Sequence, residues 1–381
     1  MRYPEEELTA ILERSGVDFT ASLPCEKIKA LLERVESAFF HVPLTREEEG
    51  VGICAGAALA GKRPAMFLQS SGIGNMINAL LSLTGFYRLP LALFISQRGI
   101  YKEKIEAQFP MGKGLPKILR GAGVPFSVIG TRDDFRTVEK KLPVIYRKNS
   151  IHAFLLSPAL WEASNAGGQG IKTGQQAQQA IARVNSSSCP PRRAGRPQFT
   201  RYEILDTIAP YLDAKAVVCN LGFPSKELFL IKHQPSNFYM LGSMGMATPI
   251  GLGMALSSQK EVVVIDGDGS ILMNPGSLAT AAYCAPRNLT IAAIDNGAYG
   301  STGNQPTLAR ACVDLETAAR GFGIKNTLKT ARKKELIAAM EGPRKGLTFI
   351  HALAVPGNKD VPPITLHHFE NRDQVMDFLK E

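Results

Sequence analysis

A run of β-branched residues that ends at two aspartates is the strongest constraint on the fold. Residues 262–270 read VVVIDGDGS, and a continuous apolar run of this length is typical of an interior strand in a parallel sheet. Asn274 and Pro275 then indicate the start of a helix over 276–285. The sequence therefore predicts a strand-to-helix turn at Asp268, where open α/β sheets bind their ligands.

The residues that this turn lacks exclude two common types of phosphate-binding site. It lacks the lysine and hydroxyl of a P-loop, and its glycine spacing does not fit the dinucleotide-binding fingerprint. The carboxylate of Asp268 would repel a bare phosphate, unless a hard divalent cation lies between the carboxylate and phosphate oxygens. The pattern therefore favours a site for a metal-diphosphate.

A second polar turn follows the next predicted strand. The strand LTIAAID ends at Asp295, and Asn296, Gly297 and Ala298 come directly after it. Because the carboxyl ends of neighbouring parallel strands meet at one edge of a sheet, we expect Asp268 and Asn296 to approach the same ion. Carboxylate and amide oxygens are hard ligands that suit Mg²⁺.

Composition excludes several other classes of protein. The N-terminal MRYPEEELTA lacks the features of a signal peptide, and no apolar stretch approaches the ~20 residues of a membrane span, so we expect a cytoplasmic protein without a membrane partner. Six cysteines without paired spacing argue against disulfides and zinc. The net charge of +10 is spread along the chain without interleaved aromatic residues, which favours small anionic ligands and no nucleic-acid partner.

The order of strands, helices and linker-like residues predicts two domains of the α/β class. We expect domains over 1–160 and 199–381, each a parallel sheet with helices on both faces, joined by a Gly-, Ser- and Pro-rich linker over 161–198. A small-residue helix, a lysine, an apolar strand and a Gly-x-Gly turn occur in this order over 50–75 and again over 251–269. This weak internal repeat suggests that the two domains have similar folds.

The second-domain motif resembles the diphosphate-binding motif of thiamine diphosphate enzymes. In that family the motif ends in an Asn-Asn pair, which Asp295 and Asn296 replace here. The resemblance implies two thiamine diphosphate-binding-type domains, the cofactor thiamine diphosphate, and Mg²⁺ held by Asp268, Asn296 and the carbonyl of Ala298. The other residues that it places at the cofactor are Gly222, Ser225, Met244, Gly267, Gly269 and Ser270, with Met244 supporting the bent shape of the cofactor.

The same family activates its cofactor with a buried glutamate that hydrogen-bonds the aminopyrimidine ring and precedes a Gly- and Ala-rich helix. The segment TREEEGVGICAGAALAG supplies three candidates. Counting nine residues back from Gly56 favours Glu47, whereas matching the Gly-x-Gly pair to related synthases would select Glu48. Glu49 remains a third candidate, and we expect the catalytic glutamate to be the buried one.

The segments QSSGIGN and IDNGAYGSTGNQPT most resemble the short 2-oxo acid decarboxylases of this family, which act on sulfopyruvate or phosphonopyruvate. The resemblance implies that 3-sulfopyruvate is decarboxylated to sulfoacetaldehyde, a step of coenzyme M biosynthesis, by a chain in which the α and β subunits are fused. Phosphonopyruvate as substrate, and carboligation as in acetolactate synthesis, are the alternatives. A homodimer or homotetramer with sites between chains is also implied.

The substrate implied by this resemblance is a small 2-oxo acid with a strong anion on C3. Arg98 follows an apolar strand, and Lys113 lies in what we expect to be the loop after it. These two cations, with Gln69 and Ser71, are the candidate contacts of the substrate. No pair of adjacent histidines offers itself as the proton donor near these segments, and that donor is left open, because His41 and the other histidines are more often structural at such positions.

Overall fold

The computed structural model describes residues 3–162, 195–342 and 346–380. These residues form two six-stranded parallel sheets, one in residues 3–162 and one in residues 195–380, which we call the first and second domains. Of the predicted linker over 161–198, residues 163–194 lie outside the described residues. The domain boundaries at 160 and 199 therefore stay predictions.

In the first domain helices and strands alternate along the chain, from the first helix to the last strand. Its strands are β1 (Phe19–Ser22), β2 (His41–Pro43), β3 (Pro64–Gln69), β4 (Leu91–Ser96), β5 (Phe126–Ile129) and β6 (Ile151–Leu156). Its helices are α1 (Pro4–Arg14), α2 (Lys29–Ala38), α3 (Glu47–Leu59), α4 (Ile73–Ala79), α5 (Gln108–Gly121) and α6 (Phe135–Lys148). A π-helical turn, Leu80–Gly85, extends α4.

The second domain follows a similar order, with an extra short helix after its third strand and a small hairpin and an extra short helix after its fourth. Its strands are β7 (Ala216–Cys219), β8 (Asn237–Tyr239), β9 (Val262–Gly267), β10 (Leu289–Asp295), β11 (Ala298–Tyr299), β12 (Gln305–Pro306), β13 (Asn326–Thr330) and β14 (Thr348–Leu353). Its helices are α7 (Arg201–Ile208), α8 (Phe223–Ile231), α9 (Ala247–Ser257), α10 (Asp268–Met273), α11 (Gly276–Cys284), α12 (Leu308–Ala311), α13 (Leu315–Gly321), α14 (Lys333–Glu341) and α15 (His368–Lys380).

Strand order confirms that the two domains have the same fold. The first sheet has the order β2-β1-β3-β4-β6-β5, and the second, read from its other edge, has the order β8-β7-β9-β10-β14-β13. All the pairings within these sheets are parallel. Each strand of one sheet therefore has a counterpart in the other, and the short repeat in the sequence reflects a repeat of the whole domain.

The small-residue helices α3 and α9 occupy equivalent positions and pack against each other. Both are buried nearly all round, and residues of both belong to one hydrophobic core that joins the two domains. Their Gly and Ala residues allow the two backbones to approach closely. The contact between the domains is therefore built from the same helix in each half.

Two local expectations need correction. Lys113 lies on helix α5 rather than in a loop. Glycine is uncommon inside helices, but Gly112 serves close packing here, because a Cβ there would lie 1.6 Å from the Arg98 carbonyl oxygen. In the second domain a short helix, α10, begins at Asp268 itself, ahead of the expected helix that starts at Gly276.

In the described part of the chain, no helix combines the length and apolar character that a membrane span requires. The cytoplasmic location stays a prediction from the sequence.

Candidate active site

A cavity at the carboxyl ends of β9 and β10 brings most of the predicted cofactor residues together. Strand β9 pairs with β10 in parallel, with Gly267 beside Ile294, so the turns that follow the two strands are neighbours. The predicted residues that line this cavity are Met244, Gly267, Asp268, Gly269, Ser270, Asn296 and Ala298. The expectation that Asp268 and Asn296 lie at one edge of the sheet agrees with this arrangement.

Asp268 is a buried carboxylate at the start of α10. Its Oδ2 accepts a hydrogen bond from the Thr307 hydroxyl, which reaches it from the far side of the turn after β10. Burial raises the pKa of Asp268 to about 7; the Thr307 hydrogen bond opposes this shift and the nearby charge of Asp295 adds to it. A cation bound beside Asp268 would lower this pKa and keep the carboxylate ionised.

The polar atoms around Asp268 fit a magnesium ion. Asn296 is buried, and its Oδ1 accepts the N–H of Ala298 at 3.2 Å and keeps a second lone pair. Its Nδ2, which has no hydrogen-bond partner in the described part of the chain, is a donor suited to a phosphate oxygen. The carbonyl oxygen of Ala298 accepts the N–H of Gly300 at 3.1 Å and keeps a second lone pair. One carboxylate, one amide and one carbonyl oxygen are the mixed hard donors that Mg²⁺ takes together with phosphate oxygens and water.

A metal site formed by protein carboxylates alone is not seen. Among the described residues, no group of three or more His, Cys, Asp or Glu side chains could hold a metal ion. A site based on Asp268 and Asn296 is consistent with this finding, because it takes its remaining ligands from a bound diphosphate. The residues present fit a metal that is bound together with a phosphorylated cofactor.

The turn after β9 is held in place by close packing and by a hydrogen bond to a neighbouring segment. Gly269 lies against Tyr299, and a Cβ on it would be 2.3 Å from the ring. Ser270, which is buried in the first turn of α10, accepts the N–H of Gly245 at 3.1 Å through its hydroxyl oxygen. That bond ties the turn to the segment that carries Met244. The turn after β9 and the Met244 segment are therefore held in a fixed position relative to each other.

Gly222 and Ser225, which we expected at the cofactor, do not line the cavity but support the turn that forms its wall. In the described part of the chain the wall near them is formed by Asn220, Leu221 and Pro224. Gly222 has a positive φ of 84°, and a Cβ on it would lie 2.5 Å from the Ser301 hydroxyl. Ser225 donates its hydroxyl proton to the backbone, with Oγ 2.8 Å from the Asn220 carbonyl oxygen. Both residues shape the turn between β7 and α8.

Arg201 lines the cavity but was not among the residues predicted from the sequence. Its guanidinium group forms two hydrogen bonds with the buried carboxylate of Glu227, at 2.8 and 2.9 Å. A third bond, of 2.8 Å, joins Arg201 to Oδ1 of Asn358, and the amide of Asn358 in turn donates to the Gly300 carbonyl oxygen at 2.8 Å. This chain of bonds fixes the turn 300–302, which forms part of the cavity wall.

The three candidate glutamates have different environments. Glu47 is buried at the start of α3, beside Gly72, and its Oε2 accepts a hydrogen bond of 3.0 Å from Asn75. Glu48 is partly exposed, and burial raises its pKa while the charge of Arg46 opposes the shift. Glu49 is fully buried, and its Oε1 accepts four hydrogen bonds from Thr45, Arg46 and Thr280.

These environments favour Glu47 among the three. The bonds to Glu49 cap the start of α3 and join it to α11, which is a structural role. Glu47 combines burial with one polar partner, Asn75, among the residues that the structure describes. It is not among the residues that line the second-domain cavity in the described chain.

The segment that carries Met244 is held by the first domain. Ser82, in the π-helical turn, lies 2.6 Å from the hydroxyl of Ser243. The hydroxyl of Tyr87 donates to the Tyr239 carbonyl oxygen and accepts the N–H of Leu241, both at 3.1 Å. The domains of a single chain therefore meet beside the cavity.

Three of the four candidate substrate residues lie together where β3 and β4 end. The amide of Gln69 donates to the Ser71 hydroxyl at 2.6 Å, and Nη1 of Arg98 lies 3.5 Å from the Gln69 side-chain oxygen. Arg98 is buried, and its charge is already paired with Glu103 through bonds of 2.6 and 2.8 Å. Lys113 is exposed on α5, with its ammonium group 5.4 Å from the centre of the Phe109 ring.

Comparison with known proteins agrees with this fold and site. The model of the thiamine pyrophosphate enzyme N-terminal TPP binding domain matches residues 5–114, and that of the C-terminal TPP binding domain matches residues 226–352. Thiamine pyrophosphate is another name for thiamine diphosphate. The chain belongs to the thiamine pyrophosphate enzyme family.

Two relatives extend over nearly the whole chain. The chain is 44% identical over 370 residues to sulfopyruvate decarboxylase of Methanosarcina acetivorans, covering 95% of this chain and 94% of that protein. It is 35% identical over 364 residues to phosphonopyruvate decarboxylase of Streptomyces viridochromogenes, covering 93% and 89%. A solved structure of 4-hydroxybenzoylformate decarboxylase from Rhodococcus jostii RHA1 superposes with a TM-score of 0.67 at 14% identity, covers 93% of this chain and 99% of that chain, and supports the fold alone.

Separate subunits match the two halves. The chain is 39% identical over 165 residues to sulfopyruvate decarboxylase subunit alpha of Methanococcus maripaludis, which covers 42% of this chain and 98% of the subunit. It is 47% identical over 183 residues to subunit beta of Methanothermobacter thermautotrophicus, covering 48% and 94%. This chain therefore combines in one polypeptide what these relatives divide between two.

Proposed function

We propose that this chain decarboxylates 3-sulfopyruvate to sulfoacetaldehyde and carbon dioxide, with thiamine diphosphate and Mg²⁺, as a step of coenzyme M biosynthesis. The single observation that carries the proposal is 44% identity over nearly the full length of a sulfopyruvate decarboxylase. The 35% identity to a phosphonopyruvate decarboxylase supports the second candidate, decarboxylation of phosphonopyruvate. When bound, thiamine diphosphate supplies the electron sink that the loss of carbon dioxide requires.

In this proposal the second domain holds the cofactor. Asp268, Asn296 and the Ala298 carbonyl would bind Mg²⁺, and the first turn of α10 would bind the diphosphate through its N–H groups. Met244 would support the bend of the cofactor, because it lines the cavity on a segment that the first domain holds in place. The chain's role here is to orient the cofactor and exclude water.

Glu47 would hold the proton that the aminopyrimidine ring exchanges. Asn75 donates to Oε2 of Glu47, which leaves Oε1 free of that bond and able to face a ring nitrogen. For the substrate anion we propose Arg98, with Gln69 and Ser71 beside it. Lys113, exposed on α5, is a further candidate cation. Because Glu103 occupies two guanidinium nitrogens of Arg98, the nitrogen beside Gln69 is the one that could contact the substrate.

Product analysis tests the type of reaction. Purified protein with Mg²⁺ and thiamine diphosphate should convert sulfopyruvate to equal amounts of carbon dioxide and aldehyde. Formation of an acyloin with little free aldehyde would instead assign the chain to carboligation. The matched control is Asp268→Asn, which should lose the reaction because it removes the only carboxylate of the proposed metal site.

We also propose a homodimer or homotetramer in which first and second domains of different chains share each site. Mixing inactive Glu47→Gln and Asp268→Asn variants tests this arrangement. If the sites lie between chains, random reassembly into dimers should restore about a quarter of the wild-type activity, because hybrid dimers contain one intact site. No recovery, in mixtures shown to have exchanged subunits, would place each site within one chain.

A further inference from the structure

Asp295, the residue that precedes the proposed metal ligand Asn296, has both carboxylate oxygens already bound. Its Oδ1 accepts the N–H of Gly297 at 2.9 Å, and its Oδ2 lies 2.8 Å from Nε2 of His351. Asp295 is 8% exposed and His351 is 1% exposed, so water does not compete for this pair. Asp295 is therefore placed to shape the turn rather than to bind the metal.

The hydrogen bond at the other ring nitrogen shows which tautomer of His351 the site requires. The N–H of Glu316 donates to Nδ1 of His351 at 3.4 Å, so Nδ1 accepts and Nε2 carries the proton. His351 therefore donates to Asp295 through Nε2. Asp314, whose Oδ1 lies 3.9 Å from Nδ1, is itself paired with Lys329.

The sheet places this pair next to the proposed metal site. His351 lies on β14 beside Ala293 of β10, two residues before Asp295 on the same face of the sheet. A donor on the neighbouring strand can therefore hold the Asp295 side chain where its other oxygen fixes Gly297. The turn from Asp295 to Ala298, which we call the metal turn, presents both Asn296 and the Ala298 carbonyl.

We propose that His351 is a positioning residue for the metal turn: by binding Asp295 it fixes the geometry in which Asn296 and Ala298 would coordinate Mg²⁺. This inference rests on the proposed function, because it assumes a Mg²⁺-diphosphate at this turn. It also accounts for the aspartate at this position, where the family motif has asparagine. A carboxylate accepts from both Gly297 and His351, whereas an asparagine would turn its NH₂ group toward one of these two donors.

Calorimetric titration of Mg²⁺ into protein saturated with thiamine diphosphate tests the proposal without relying on turnover. We expect His351→Phe, which keeps a ring but removes the donor, to weaken Mg²⁺ binding by about 10-fold to 100-fold. His351→Gln can still donate and should lose less. His152→Phe is the matched control, because His152 is a buried histidine on β6, the counterpart of β14 in the first domain. It should bind Mg²⁺ like the wild type.

Mg²⁺ affinity of folded His351→Phe within about twofold of wild type would overturn the role of His351. If that variant does not fold, Asp295→Asn decides: a loss of about tenfold in Mg²⁺ affinity supports the proposal, and unchanged affinity overturns it. Failure of the wild type itself to bind Mg²⁺ with thiamine diphosphate would instead contradict the proposed function. The two failures are therefore distinguishable in one set of titrations.

Discussion

Gly56 of α3 and Gly253 of α9 face each other where these helices cross, and each lies against the backbone of the other helix. A Cβ at Gly56 would lie 2.0 Å from the Ile250 carbonyl oxygen, and one at Gly253 would lie 2.0 Å from that of Ile53. The contact is reciprocal because the two domains share one fold and pack through equivalent helices. The start of α3 is joined to the second domain separately, by the hydrogen bond from the Thr280 hydroxyl to Glu49.

Replacing one of these glycines should therefore weaken the packing between the two domains and lower the stability of the protein. We expect Gly56→Ala to lower the free energy of unfolding by about 1–3 kcal/mol or more, because the methyl group collides with backbone that cannot rotate away. Denaturant titration measures the change. Gly121→Ala is the control, since a Cβ at Gly121 meets nothing within 4 Å, and that variant should be as stable as the wild type. Equal stability of both variants would contradict the packing described for α3 and α9.

Substitutions of the three neighbouring glutamates should have different effects on catalysis and on stability. We expect Glu47→Gln to lower the decarboxylation rate by about 10²-fold to 10⁴-fold with an unchanged melting temperature, because the variant cannot exchange a proton. Glu49→Gln should lower stability by about 1–2 kcal/mol while folded protein keeps its turnover, since Glu49 binds the start of α3. Glu48→Gln should change neither. Full activity of Glu47→Gln would show that Glu47 is not the catalytic glutamate.

The bonds from Arg201 through Asn358 to Gly300 should control cofactor affinity. We expect Asn358→Ala to weaken thiamine diphosphate binding about threefold to tenfold, with little change in kcat at saturating cofactor. The reason is that the turn 300–302 loses the hydrogen bond from Asn358 to the Gly300 carbonyl oxygen. Lys359→Ala is the control, since it keeps the backbone N–H that bonds to Glu227. A lower kcat with unchanged cofactor affinity would argue against this role.

His41 should make the protein sensitive to acid. Burial lowers the pKa of His41 to about 4, and the hydroxyls of Thr20 and Ser22 bind its two ring nitrogens at 2.9 and 3.1 Å. The unfolded chain, with a histidine pKa of about 6.5, takes up a proton at higher pH than the folded chain does. Folding stability from this group is therefore complete above about pH 6.5 and is lost as the pH falls toward about 4.

Denaturant titrations of wild type and His41→Asn compare this loss directly. Between about pH 7 and about pH 4.5 the wild type should lose about 2 kcal/mol more unfolding free energy than the variant, because asparagine does not titrate. His152, whose pKa burial also lowers to about 4, contributes equally in both proteins. The same pH dependence in both would show that His41 is not the group responsible.

Local signals were sufficient to predict the core of the second-domain site. The strands before Asp268 and Asn296 are short segments with strong apolar patterns. Consecutive strands joined by a helix are expected to pair in parallel, as these two do. The same two-domain plan was visible as a weak repeat, which the identical strand order confirms. Signals of this kind depend only on neighbours along the chain.

Residues that reach the site from distant segments could not be predicted in this way. Thr307, Asn358 and His351 contact the site across 39, 58 and 56 residues of chain. Thr307 ends the segment IDNGAYGSTGNQPT, but nothing in that segment indicates a bond to Asp268, and the other two residues belong to no segment singled out in the sequence. Helix α5 was missed for a different reason. Its glycines indicate a loop when taken alone, and only the contact of Gly112 with the turn at Arg98 explains why a helix needs glycine there.

The most direct test of the proposed function is the rate of carbon dioxide release from three 2-oxo acids by protein with saturating Mg²⁺ and thiamine diphosphate. We predict that kcat/KM for 3-sulfopyruvate exceeds that for 3-phosphonopyruvate and for pyruvate, and that Glu47→Gln lowers the rate of release by about 10²-fold to 10⁴-fold. A preference for phosphonopyruvate would favour the second candidate substrate. Absence of carbon dioxide release from all three, in protein that binds the cofactor, would contradict the proposed decarboxylase.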